Sequence, residues 1–249
     1  MSFQHQVYAR DLIKIGAHYG HKKKLWNPKM SPYIYGVRGN IHIINLELTA
    51  KKLNEALNVF YNIATHHGRI LFVNTKKQSS DIVKDTATRC GQYYINHRWL
   101  GGILTNWKTI SSSIKTLKHY ETILEHNNNS LTKKELLEIT RKKEKIDRAI
   151  GGIRNLGGMP DVLFINDVKM HNIAIKEAQL LNIPIIAIVD TNSSPDGISI
   201  VIPGNDDSQK SISFFSNAVA DAIIAGMQHS NERIQPTSQS KHSNNQIKK

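Results

Sequence analysis

The chain has 249 residues, 39% of them hydrophobic and 21% charged, ordinary shares that give no sign of wholesale disorder. Lys and Arg number 33 against 20 Asp and Glu, a formal net charge of +13 with an isoelectric point near 9.7, which points to a polyanionic partner such as nucleic acid or an acidic membrane. A single cysteine, Cys90, excludes an internal disulfide and reads as a buried inert thiol; no apolar run approaches the roughly 20 residues of a membrane span, and the amino terminus lacks a secretory core, so a cytoplasmic protein is expected.

The basicity is not spread evenly. Residues 1–104 carry 15 basic and 5 acidic side chains, residues 105–150 carry 10 and 6, and residues 151–249 carry 8 and 9. Within the basic half, residues 18–38 (HYGHKKKLWNPKMSPYIYGVR) contain no acid among five basic residues, with Trp26, Tyr33 and Tyr35 interleaved. Lysines that neutralise phosphates beside rings that stack on bases or riboses make this an RNA-binding candidate, with Lys22, Lys23, Lys24, Trp26, Lys29 and Arg38 as its residues. A solvated basic loop would explain the lysines but not the aromatics and prolines.

Further along, 46–65 has helical spacing and ILFV (70–73) reads as a strand. The polar turn 74–79 (NTKKQS) follows that strand and precedes a second helix over 79–89, so its N–H groups and lysines could meet an anion, or it could be an ordinary turn at the end of a strand. YYI (93–95) is the next strand, and His97, Arg98 and Trp99 after it repeat the combination of base and ring. They join the RNA-binding candidates, although Trp99 could equally anchor a core.

Residues 106–153 break the rhythm, with no strand candidate and apolar residues recurring at three and four: Ile110, Ile114, Leu117, Leu124, Ile139, Ile146, Ile150 and Ile153. The polar stretch 126–130 reads as a turn and Thr132 to Glu135 as a capping box, so two antiparallel helices forming a projecting arm are expected. Strand and helix alternation then resumes with VLFI (162–165), a helix over 171–181, IIAIV (185–189), ISIVI (198–202) and a helix over 208–227. Continuous apolar strands separated by helices imply a parallel sheet covered on both faces, a layered α/β/α domain. The expected organisation is an α/β domain over 1–104 and 154–227, a helical arm over 105–153, and a polar, disordered tail over 228–249.

The glycine pairs at 101–102, 151–152 and 157–158 fit no phosphate-binding motif and read as turn and close-packing positions. Asp167, Asp190, Asp196, Asp206 and Asp207 follow the later strands and could hold magnesium, but Asp206, Asp207 and Ser208 also suit a helix N-cap, and no general base accompanies them. The histidines at 18, 21, 66, 67 and 97 lack zinc spacing and read as solvated or RNA-facing. No catalytic residue, metal or cofactor is assigned.

Six ordered blocks carry a resemblance: AHYGHKKKLWNPKM (17–30), IHIINLE (41–47), ILFVNTKK (70–77), NHRWLGGILTNW (96–107), LGGMPDVLFIND (156–167) and IVDTNSSPDG leading to VIPGNDD (188–207). They resemble the bacterial-type small-subunit ribosomal protein S-two family over most of the chain. That resemblance implies a three-layer flavodoxin-like parallel sheet with a protruding two-helix coiled-coil hairpin. It also implies a structural, non-enzymatic role on ribosomal RNA among other small-subunit proteins, with support for recruitment of ribosomal protein S-one. Neither a membrane nor a small-molecule substrate belongs to this reading; the place is the cytoplasmic small subunit, or an organellar matrix if the chain is organelle-encoded. Asn74 stands where the family usually has Gly, and Ser194 where Asp is common. The contrasting readings are a doubly wound enzyme with Thr75 and Lys76 on a substrate phosphate and Asp190 near a metal, and an adaptor that uses its arm to bind protein.

Overall fold

The computed structural model describes residues 6–126 and 132–234. The chain opens with a short helix, α1 (Ala9–Lys14), and then three short strands, β1 (Tyr19–Lys22), β2 (Ile34–Arg38) and β3 (Ile41–Ile44), which form an antiparallel sheet in the order β1-β3-β2. The sequence pattern does not announce this sheet: its strands are only four or five residues long, and both pairings contain a register irregularity that breaks simple alternation.

Helix α2 (Leu46–Thr65) begins where Asn45 Oδ1 accepts the N–H groups of Glu47 and Leu48 at 3.0 and 3.4 Å. Its buried stripe, including Leu53, Ala56, Leu57, Phe60 and Ala64, follows the three-and-four spacing of the sequence. The large sheet is built from β4 (Ile70–Val73), β5 (Tyr93–Ile95), β6 (Val162–Ile165), β7 (Ile185–Val189) and β8 (Ile200–Pro203). All its pairings are parallel and its order is β5-β4-β6-β7-β8, the flavodoxin-like order.

Successive strand side chains supply two different cores. Ile70, Phe72, Val162, Phe164, Ile186, Ile188 and Ile202 face one side, where they meet α2, α3 (Ser80–Arg89) and α7 (Gln209–Ile234). Leu71, Val73, Leu163, Ile165, Ala187 and Val189 face the other, where they meet α6 (Asn172–Leu180) and the lower ends of α4 (Trp107–His126) and α5 (Lys133–Ile150). Burial on both faces is why these strands read as unbroken apolar runs.

Helices α4 and α5 occupy the crossover between β5 and β6 and pack on each other. Ile110, Ile114 and Ile150 at their lower ends, with Ile153 in the 3-10 turn just past α5, join the second core. The capping box at Thr132 and Glu135 is present in both directions; of the turn expected over 126–130, His126 is the last residue of α4 and the rest lies outside the described residues. Behind α5 the chain returns so closely to β5 that a Cβ on Gly152 would sit 2.1 Å from the Tyr94 carbonyl oxygen, and Gly157 follows at φ +70°.

Two boundaries differ from expectation. The last strand is Ile200–Pro203 rather than 198–202. Helix α7 runs to Ile234, seven residues beyond the change of composition at Met227, because the helix has a partner there: Ser230 is buried and its hydroxyl meets His67 Nε2 at 3.0 Å. The remaining tail, residues 235–249, lies outside the described residues.

Candidate nucleic-acid interface

The basic segment 18–38 is folded onto the small antiparallel sheet rather than left as a loop. After β1, a 3-10 turn over Lys23–Leu25 and a second over Pro28–Tyr33 carry the cations, the second capped by Asn27 Oδ1 accepting the Lys29 N–H at 3.0 Å. The segment is pinned to the loop after β7: His21 N–H donates to Thr191 Oγ1 at 2.8 Å and Asn27 N–H to the Thr191 carbonyl at 2.7 Å. With the backbone held, Lys22, Lys23, Lys24 and Arg38 project into solvent, and none of the four has an ion-pair partner among the described residues. Lys29 is exposed but paired with Asp196, whose carboxyl is held below its usual range by that lysine and by Ser194. Trp26 is half-buried with its ring 5.1 Å from that of His42, so only part of its face is open. Tyr35 is 81% exposed, and Tyr19 and Val37 are exposed too, so an aromatic and apolar surface lies beside Arg38.

The second group of candidates divides. His97 and Arg98 are exposed, but Trp99 is only 7% exposed, and its indole N–H donates to Glu177 Oε1 at 3.1 Å. Trp99 is therefore withdrawn from the RNA-facing set and takes the anchoring role. The Glu177 carboxylate also accepts the N–H groups of Gly102, Leu104 and Thr105 at 2.8, 3.0 and 3.2 Å and the Thr105 hydroxyl at 3.2 Å. Burial works against its charge, yet these donors hold it ionised below its ordinary range. One acid on α6 thus fixes the loop that launches α4. Sequence reasoning missed Glu177, since nothing in the spacing links it to a loop over 70 residues away.

The C-terminal ends of the central strands hold the other charged cluster. Parallel α/β sheets bind ligands at the point where strand order reverses, here between β4 and β6. That crevice is filled by the protein itself. Lys76 lies 2.8 Å from Asp167, 3.0 Å from Asp206 and 2.8 Å from Asp207. His171 Nε2 accepts the Thr75 N–H at 3.1 Å, and its Nδ1 lies 2.6 Å from the Asp167 carbonyl oxygen. Asn74, which does not adopt a left-handed backbone, accepts the Lys76 N–H and donates to Ser79 Oγ. The turn 74–79 therefore commits Lys76 and the N–H groups of Thr75 and Lys76 to internal partners, which corrects its reading as a phosphate cradle. Asp206 and Asp207 are corrected as well: Asn205 Oδ1 accepts the N–H groups of Asp207 and Ser208, while the two carboxylates turn to Lys76.

His21 belongs to this cluster rather than to solvent. Its Nδ1 is 3.2 Å from Asp190 and its Nε2 3.2 Å from Asp207, and contact with Asp190 raises its pKa against the opposing effect of burial. Asp206 is pushed up to about 7 by burial and by the neighbouring charges of Asp167 and Asp190. Burial opposes the charge on Lys76, but the surrounding carboxylates outweigh it and raise its pKa. Ligand atoms of His21, Asp190 and Asp206 lie within 4.8 Å of one another, so among the described residues these three could hold a cation. Asp196 is remote from them in contacts, engaged with Lys29 and Ser194.

Among the described residues, no helix is long and apolar enough to cross a membrane. The family described as Ribosomal protein S2 matches residues 12–226. The small ribosomal subunit protein uS2 of Ehrlichia ruminantium (strain Gardel) is 57% identical over 215 residues, 86% of this chain and 75% of the relative. That of Wolbachia pipientis wMel is 56% identical over 227 residues, 90% and 80% of the two chains, and that of Idiomarina loihiensis 51% identical over 218 residues, 87% and 90%. With a match spanning nearly the whole α/β fold and more than half the positions shared with these relatives, the chain belongs to the ribosomal protein S2 family.

Proposed function

We propose that the chain is a structural constituent of the small ribosomal subunit, that it binds ribosomal RNA, and that its mechanism is placement rather than turnover. The observation that carries this is the set of exposed cations at Lys22, Lys23, Lys24 and Arg38, held on a folded sheet and lacking ion-pair partners among the described residues. Such a surface gains free energy by releasing counterions from folded RNA. Relatives named as small-subunit proteins point the same way. On this reading the helix pair over 105–153 is an arm lying along RNA or neighbouring proteins. The chain's presence supports recruitment of ribosomal protein S-one, and its place is the cytoplasmic small subunit.

The enzyme reading loses its chemistry at the strand ends, because Lys76 is committed to three carboxylates and cannot also serve a substrate phosphate. The test is cosedimentation with small subunits through a moderate salt wash, followed by equilibrium binding of the purified chain to fragments of small-subunit RNA. Replacing Lys22, Lys23 and Lys24 by Ala is expected to flatten the log–log salt dependence by roughly 0.7–0.9 for each phosphate that is no longer neutralised. An unchanged slope removes this face from the interface, and failure to cosediment removes the subunit assignment. Particles lacking the chain are expected to carry less ribosomal protein S-one.

A further inference from the structure

A cleft of about 1010 Å³ lies between the root of the helix pair and the ends of β4 and β5. Its rim carries basic side chains from three separate parts of the chain: Lys77 after β4, His97 and Arg98 after β5, and Lys142, Lys145 and Arg148 on α5. The last three recur every third residue, which keeps them along one side of the helix over two turns. One acid, Asp81, is among the lining residues. Within the described residues only Lys142 of this set has an ion-pair partner, Glu138 on its own helix. The floor is different in kind, formed by Leu100, Ile110, Ile146, Ala149 and Ile150, with the ring of Tyr120 at the side. Leu100 is 38% exposed there although it is a large aliphatic group.

Cations that, Lys142 apart, lack ion-pair partners among the described residues, set around an apolar floor, suit a ligand that is itself anionic along one edge and flat and apolar along another. We propose that this cleft is a second RNA-binding site, distinct from the lysine face on the small sheet, and that it takes unpaired nucleotides. Phosphates lie on the α5 and β5 rim, and a base or ribose lies against Leu100 and Tyr120. A duplex offers phosphates but keeps its base faces stacked, so it uses the rim without the floor. The proposal rests on the RNA-binding reading and adds to it the position and the single-stranded form of the partner. It also gives the root of the helix pair a task beyond spacing, because α5 supplies half of the rim.

The experiment uses the full chain and fluorescently labelled twelve-nucleotide RNA, single-stranded or duplex, with affinity followed by anisotropy across a salt series. The double variant Lys145→Glu, Arg148→Glu changes exposed positions, and an unchanged thermal midpoint verifies that it folds. It is expected to weaken single-stranded binding at least tenfold at low salt and to lower the salt slope by about one to two. Leu100→Ser and Tyr120→Ala are expected to weaken single-stranded binding about fivefold or more with the slope unchanged, and to leave duplex binding as it was. If Lys22, Lys23 and Lys24 replacements weaken RNA binding while the cleft variants do not, the cleft proposal is overturned and the RNA reading stands. If neither set matters, both are overturned. If the cleft variants abolish binding of a polyglutamate peptide and leave RNA binding intact, the site belongs to an acidic protein and the proposal fails.

Discussion

Two charged regions meet at His21 and are built on opposite rules. On one side of it, Asp167, Asp190 and Asp206 are almost fully buried at the C-terminal ends of the strands and share Lys76 and His21. On the other side, Lys22, Lys23 and Lys24 stand in solvent without ion-pair partners among the described residues. Charge that is buried must be answered from within, because an unpaired buried ion costs several kcal/mol. Charge left exposed and unanswered costs little in the free chain and is available to a partner. Location, more than residue type, separates scaffold from interface here: Lys76 and Lys22 are the same chemistry with different duties.

The sharpest way to break this contrast is Lys76→Met. It leaves the buried carboxylates without their cation and is expected to cost about 3–5 kcal/mol in urea unfolding, because the desolvated charges remain. Adding Asp206→Asn to that variant is expected to restore part of the loss, and independent, additive effects would refute the idea of one shared cluster.

Next in size is Glu177→Gln. An amide offers one acceptor oxygen where the carboxylate satisfied five donors, so about 2–3 kcal/mol is expected, with faster hydrogen exchange in the 99–105 loop.

A smaller effect depends on pH. Asp206 sits at about 7 instead of 3.8, so the folded chain holds that proton more tightly than the unfolded chain does. Its contribution is fully present below about pH 4 and is lost as the pH rises to about 7. His21, raised by its hydrogen bond to Asp190 against the opposing effect of burial, adds a contribution present below 6.5 and lost above its raised value. Burial lowers the pKa values of His18, His42 and His171, which works the other way as the pH rises to 6.5, so the test is a difference: between pH 4 and 7 the thermal midpoint of Asp206→Asn is expected to rise more, or fall less, than that of the parent chain. The smallest stability effect belongs to the exposed face: replacing Lys22, Lys23 and Lys24 by Ala is expected to shift stability by no more than about 0.5 kcal/mol while RNA affinity drops.

The strands 70–73, 93–95, 162–165 and 185–189 and the Thr132–Glu135 capping box were readable from the residues, because each depends on neighbours within a few positions or on burial on both faces. The small antiparallel sheet was not readable. Its strands are short and irregularly paired, and its place depends on Thr191, 170 residues from His21. His21 reads from the sequence as a solvated or RNA-facing imidazole, and only the fold puts Asp190 and Asp207 beside it.

By itself the sequence determined the layered α/β architecture, the helical interruption between two of its strands and the concentration of positive charge in the first half, since these follow from periodicity and composition. Only the tertiary structure decided which charges are answered internally and which remain for a partner. Ion pairing is a matter of a few ångströms between groups far apart in the chain: Lys76 meets Asp206 across 130 residues, and no pattern local to either residue announces that contact.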